Sequence, residues 1–237
     1  ENHFLGSVDD APLRFRINDS LAGYLGKDNI YWGYQSGPKI SSGKSNIGIG
    51  FQSLKNNSSG FNNVSIGDST LVQNTSGSYN TALVVQGLNA NKTGIGNTAI
   101  GWSYLFQNDT GSYNTAIGSA SMRFNKGTYN TAIGNTSLYF NKGNQNIAIG
   151  SASMYANDTG SHNTAIGRSS LSINKGNDNI AIGSFSLFDG RTTDCTNRLY
   201  CLGRLFNKVS NDRPIITFLI TTKICYGLCA HFGPSLS

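Results

Sequence analysis

The apolar and polar positions of this chain return with one long period. Asparagines fall at Asn29, Asn46, Asn63, Asn80, Asn97, Asn114, Asn130, Asn146, Asn163 and Asn179, in steps of 17 or 16 residues. Three residues before each stands a glycine, from Gly26 to Gly176. Three residues after stands a large aliphatic residue from the second unit on: Ile49, Ile66, Leu83, Ile100, Ile117, Ile133, Ile149, Ile166 and Ile182. Glycine follows that residue in every unit but the one with Val84. Eight after the asparagine comes Leu or Met: Leu54, Leu71, Leu88, Leu105, Met122, Leu138, Met154, Leu171 and Leu187. Eleven after, a second asparagine recurs from Asn57 to Asn174.

Each position predicts an element. A β-branched residue, a small residue and an aliphatic one in succession, as in Thr115-Ala116-Ile117, read as a short strand, because strand side chains alternate between faces. The following glycine supplies a tight corner. The next stretch, such as 151–156, is too short for a stable isolated helix; a second strand and a single helical turn both fit it. The closing Asn-x-Gly is turn chemistry. Units of 16 and 17 residues differ only inside that turn, as in Asn125-Lys126-Gly127 against Asn108-Asp109-Thr110-Gly111, which marks it as a surface loop.

Units this short must stack to bury anything. The expected fold is all-β, a parallel β-solenoid or β-roll of about ten coils, with like residues laddered along the stack. Asn97, Asn114, Asn130, Asn146 and Asn163 would form a hydrogen-bonded ladder. Ile100, Ile117, Ile133, Ile149 and Ile166 are expected inside, against Leu105, Met122, Leu138, Met154 and Leu171. The Ala face is then expected outside, flat enough for another chain to approach.

Three regions follow. Residues 1–28 read as a small N-terminal β cap, with strands at 4–6 and 13–17. Residues 29–190 are the array; its first unit is degenerate, with Trp32 in the Ile slot and Gly37 in the Leu slot. Residues 191–237 abandon the pattern and hold all four cysteines: Cys195, Cys201, Cys225 and Cys229. Their apolar run at 215–220 has no relation to the repeat, as in a cap of separate origin or a segment read out of frame.

Composition narrows the function. The 237 residues include 29 Gly and few charged groups, 13%, with a net charge of +6 that is spread along the chain. No basic run or aromatic-interleaved patch supports nucleic-acid binding. No run has the length of a membrane-spanning helix, so direct membrane insertion is not expected.

Candidate chemistry is absorbed by the repeat. The stretch 37–45 has one residue too many for a phosphate loop. Gly67-Asp68-Ser69-Thr70-Leu71 looks like an esterase nucleophile block but has no histidine in the nearby units. His162 takes the slot of Tyr79, Tyr113 and Tyr129, an exposed turn position. Asp109 and Asp158 sit in closing turns. The cysteine spacings fit zinc poorly. No catalytic, cofactor or metal residue is expected. Tyr79, Tyr113 and Tyr129 form the candidate surface-binding row, for a host-surface protein or glycan.

The phrase Thr-Ala-Ile-Gly at 98–101, 115–118 and 164–167 resembles the head repeats of trimeric autotransporter adhesins. The longer Asn-Thr-Ala-Ile-Gly-x-x-Ser-Leu-x-x-Asn-x-x-Gly unit is similar to arrays in bacterial surface and phage-type tail-fibre proteins. The leading segment Asp10-Ala11-Pro12-Leu13-Arg14-Phe15-Arg16 is similar to what precedes such arrays. The resemblance covers roughly residues 1–190. It implies a trimeric, extracellular, fibrous scaffold; with geometric and few reactive residues in the repeat, a structural or adhesive and non-enzymatic role on a cell surface or virion is expected. Units of 16–17 residues are longer than the adhesin-head unit, and no heptad stalk or anchor barrel is recognisable. The alternatives are a carbohydrate-recognising or carbohydrate-processing fibre and, on the Thr98, Thr115, Thr131 and Thr164 ladder, an ice-binding solenoid.

Overall fold

The computed structural model describes residues 9, 11–38, 41–102 and 105–188, and 200–202 as a backbone strand. The described residues hold strands and turns and no helix. An antiparallel hairpin, β1 (Leu13–Ile17) and β2 (Ser20–Leu25), leads into β3 (Asn29–Trp32), which pairs antiparallel with β2. From there every pairing is parallel. One strand per coil follows: β4 (Asn46–Ile49), β5 (Val64–Ile66), β6 (Thr81–Leu83), β7 (Thr98–Ile100) and β8 (Thr115–Ile117). From the coil of β8 on a second, two-residue strand is added: β9 (Phe124–Asn125) follows β8, β11 (Phe140–Asn141) follows β10 (Thr131–Ile133), β13 (Ala156–Asn157) follows β12 (Ile147–Ile149) and β15 (Ile173–Asn174) follows β14 (Thr164–Ile166), before β16 (Ile180–Ile182).

The result is a parallel β-solenoid. Like residues stack rung on rung, Thr98 on Thr115, Ala99 on Ala116 and Ile100 on Ile117. At about 4.8 Å per rung, the ten rungs from β3 to β16 make a stack of roughly 45 Å. The segment after the corner is a turn in the early coils. From β9 on it gains a two-residue strand, and β9, β11, β13 and β15 form a second, four-stranded sheet.

The phase of the main strand is the reverse of the expected one. Ala82, Ala99, Ala116, Ala132, Ala148, Ala165 and Ala181 are fully buried. Ile100, Ile133 and Ile166 point outward and are 36–37% exposed; Ile117 and Ile149 are partly exposed on the same face. The cause is the asparagine that starts the unit. It is buried, and residues two apart share a face, so the small residue follows it inward and the β-branched pair faces out. The coil is also too thin for two large walls. Leu54, Leu71, Leu88, Leu105, Met122, Leu138, Met154 and Leu171 fill it from the opposite side, and only alanine leaves room for them.

A serine column completes the interior. Ser121, Ser137 and Ser153 are buried, and their Oγ atoms donate to the carbonyls of Ala132, Ala148 and Ala165 in the next coil, at 2.9–3.1 Å. The Leu and Met column has left-handed backbone, φ from 42° at Leu105 to 53° at Leu54. Such a residue costs roughly 1–2 kcal/mol in isolation; full burial of the side chain offsets it.

The ends depart from the repeat in compensating ways. Tyr31 occupies the alanine slot of the first coil and is buried. Its ring fills the space that Leu and Ala take elsewhere. A Cβ on Gly37 would lie 2.5 Å from the ring, and one on Gly48 would lie 2.9 Å from it. At the other end, β17 (Tyr200–Leu202) pairs in parallel with β16, so the main sheet runs one strand past the change in composition. The strand expected at 4–6, Cys195, Cys225, Cys229 and the run at 215–220 lie outside the described residues.

Candidate functional site

The first feature the repeat builds is internal. In the inner coils, from Asn46 to Asn163, the leading asparagine uses all its hydrogen-bonding capacity. Asn130 Nδ2 donates to Asn114 Oδ1 at 3.2 Å and to the Gly143 carbonyl at 3.0 Å. Its Oδ1 accepts from the Asn146 backbone N–H at 2.9 Å and from Asn146 Nδ2 at 3.2 Å. Asn97, Asn114, Asn146 and Asn163 repeat this arrangement. The second asparagine column makes its own ladder, Asn141 Nδ2 to Asn125 Oδ1 at 2.7 Å. The two ladders meet on one atom. The Gly143 carbonyl accepts from Asn130 and from Asn141, so both ends of a unit hold the turn that closes it.

That turn explains the glycine before each leading asparagine. A Cβ on Gly127 would lie 1.8 Å from the carbonyl oxygen of Gly143 in the next coil. The buried asparagines therefore carry structure and offer nothing to a ligand. So do Leu105, Met122, Leu138, Met154 and Leu171.

Three surfaces remain. The first is the outer face of the main sheet, where the β-branched column from Val64 to Ile180 runs beside the Ile column. Thr81, Thr98, Thr115 and Thr131 are consecutive rungs of it. The second is the corner before the strand. Tyr79, Tyr113 and Tyr129 are all exposed there at positive φ, 57–59°. Tyr113 and Tyr129 stack, with ring centroids 4.9 Å apart, while Tyr79 meets Phe61 edge-on at 5.1 Å. On the other flank of the same face, after the corner glycine, Phe51, Val85 and Trp102 are exposed. The third surface is the second sheet, with Phe124, Phe140, Tyr139 and Tyr155 in mutual contact. The guanidinium of Arg123 lies over the rings of Phe106 and Phe124.

The motifs that resembled active sites are structural turns. Asp68 accepts a hydrogen bond from the Phe51 N–H at 3.0 Å, and Ser69 is a left-handed corner. In the phosphate-loop-like stretch, the Gly43 carbonyl accepts from Asn29 as part of the ladder; Lys39 and Ile40 lie outside the described residues. His162 is an exposed corner residue, at φ 60°. Asp109 pairs with Lys92 at 3.1 Å. Asp158 pairs with Lys142, whose hydrogen bond and charge hold its carboxyl below the usual range. Among the described residues no group of three or more His, Cys, Asp or Glu side chains is placed to hold a metal.

Sequence reasoning missed the serine column and left the second segment of each coil open between a strand and a helical turn; it is a turn in the early coils and a two-residue strand from β9 on. The serine signal is present, since Ser recurs before the Leu or Met in most units. The second-sheet signal is weaker: a pair of aromatics in two successive units. Comparison with family models, curated proteins and solved structures returns no match.

Proposed function

We propose that the chain is a non-catalytic fibre segment that associates with copies of itself through the outer face of its main sheet. The observation that carries this is the Thr-x-Ile face. It is flat, continuous over the stack and rich in exposed β-branched residues, with Ile49, Ile66, Ile100, Ile133, Ile166 and Ile182 in one line. Soluble monomers seldom leave a contiguous apolar strip of this kind uncovered. The buried Ala column, expected as the interface, has no part in it.

A homotrimer is the state that the resemblance to adhesin heads implies, and the flanks of the face favour it. Exposed aromatics border it on both sides, Tyr79, Tyr113 and Tyr129 on one and Phe51 and Trp102 on the other. In a three-fold arrangement each chain meets two neighbours, so both borders are covered together with the face. A two-fold pair would cover the face and leave the borders wet. The rod then serves as a spacer and attachment surface on the outside of a cell or virion. Replacing Ile117 and Ile133 by lysine tests this. The variant should be monomeric by sedimentation while retaining the β-sheet circular dichroism of the parent. A parent that is itself monomeric overturns the reading.

A further inference from the structure

We propose that the outer face of the second sheet binds an acidic oligosaccharide laid along the stack. This goes beyond the fibre reading and does not depend on chain number, because the second sheet is a different wall of the coil from the Thr-x-Ile face.

The face is built by alternation. Asn125, Asn141, Asn157 and Asn174 point inward and are consumed by their ladder. The residues on either side of them therefore point out. One outward column reads Phe124, Phe140, Ala156, Ile173; the other reads Lys126, Lys142, Asp158, Lys175. Between them runs a trough of about 620 Å³, with one apolar wall and one charged wall.

The apolar wall is notched. Phe124 and Phe140 stack, 5.1 Å apart and 13° from parallel. The next rung carries only the methyl group of Ala156, and the wall resumes at Ile173. Phe140 and Ile173 are two rungs apart, about 9.6 Å, so the notch has the length of one sugar residue. A pyranose ring is apolar on its faces and polar round its edge. Lying lengthwise over Ala156, it would set an apolar face on the Ala156 methyl group, between Phe140, whose ring Tyr155 meets edge-on at 5.8 Å, and the Ile173 side chain. Its hydroxyls would meet Lys142 and Asp158, the ion pair at the notch.

The charged wall sets the ligand's charge pattern. Lys142 and Asp158 neutralise each other. Lys126 and Lys175 flank them and make no ion pair among the described residues. The sequence of charges along the trough is positive, neutral, positive. An oligosaccharide that alternates acidic and neutral sugars matches this order. A single-stranded nucleic acid, with a phosphate at every residue, would set one against Asp158.

Calorimetric titration of the full chain tests this with hyaluronan oligosaccharides as the probe. Neutral chitin oligosaccharides and an oligothymidylate of similar length serve as comparisons. The expected result is saturable hyaluronan binding that weakens with salt, and at least tenfold weaker binding of both comparisons. Ala156→Phe continues the existing aromatic stack and fills the notch; it should lower affinity at least tenfold with an unchanged melting temperature. The surface variant K126Q/K175Q, which cannot disturb the interior, should lower it about fivefold or more. No binding of hyaluronan, tighter binding of oligothymidylate, or full affinity in K126Q/K175Q overturns the proposal. None of these readouts depends on whether the chain is a trimer, which solution mass reports separately.

Discussion

At the scale of single residues the solenoid is a set of close approaches and left-handed corners. The corner after the strand shows both. Gly118 has φ 124°, and a Cβ there would meet the Gly134 carbonyl oxygen at 2.4 Å. Val84 stands at the equivalent position with φ 80°, a strained conformation for a β-branched residue. Val84→Gly relieves that strain and loses only a half-exposed side chain. We expect a gain of about 1 kcal/mol after the entropy of the added glycine, measured by chemical denaturation. Gly127→Ala should act in the opposite direction. With the Gly143 carbonyl in the place of the new methyl, a loss of about 3 kcal/mol or more is expected. Tyr31 adds a pH dependence. Its phenol is buried near Asn57 and Asn46 without a well-formed hydrogen bond to either, and burial pushes its pKa up to about 12. The folded state thus holds this proton more tightly than the unfolded chain, in which the phenol titrates near its ordinary value of 10. Its contribution to stability is complete below pH 10 and is lost as pH rises to about 12. Tyr31→Phe should flatten the stability profile over that window.

At the scale of the coil, the period, the turns and the site of insertion were legible, because each rests on residues with narrow conformational roles: Gly, Asn and Thr. The phase of the strand was not. The habit of placing large aliphatic residues inside assigns Ile117 and Ile133 to the core. A coil only two walls thick reverses this, since Leu and Met from one wall leave the other room for Ala alone. The correcting signal was in the sequence. A hydrogen-bonded asparagine ladder must exclude water, and Asn114 shares a face with Ala116. Asn130 tests the weight of that ladder. Asn130→Ala removes four hydrogen bonds and strands the Asn146 N–H, which has no other acceptor. A loss of about 2–4 kcal/mol is expected. A loss below about 1 kcal/mol would show that water replaces the ladder. The second sheet was only half legible, as one of two readings of its segment, for another reason. Two residues per strand carry no periodic signal, and the aromatics after the Leu or Met position, Phe124 and Phe140 among them, read as a surface row that covers coil edges or meets a partner.

At the scale of the whole molecule, the rod spends its polar residues on the inside and leaves β-branched residues outside. Conventional burial is inverted along one wall, and the interior compensates by satisfying each inner ladder asparagine with its neighbours. Such a stack has no natural stop along its axis. It is closed at one end by the β1–β2 hairpin and the Tyr31 plug, and the main sheet gains the single strand β17 at the other. Across the axis, the uncovered Thr-x-Ile wall is what remains to be buried. The most direct test is the solution mass of the full chain by light scattering. Three times the 25.3 kDa of one chain is expected. A mass of 25.3 kDa that holds on concentration would contradict it, and would leave the outward Thr and Ile ladders as a free face in solution.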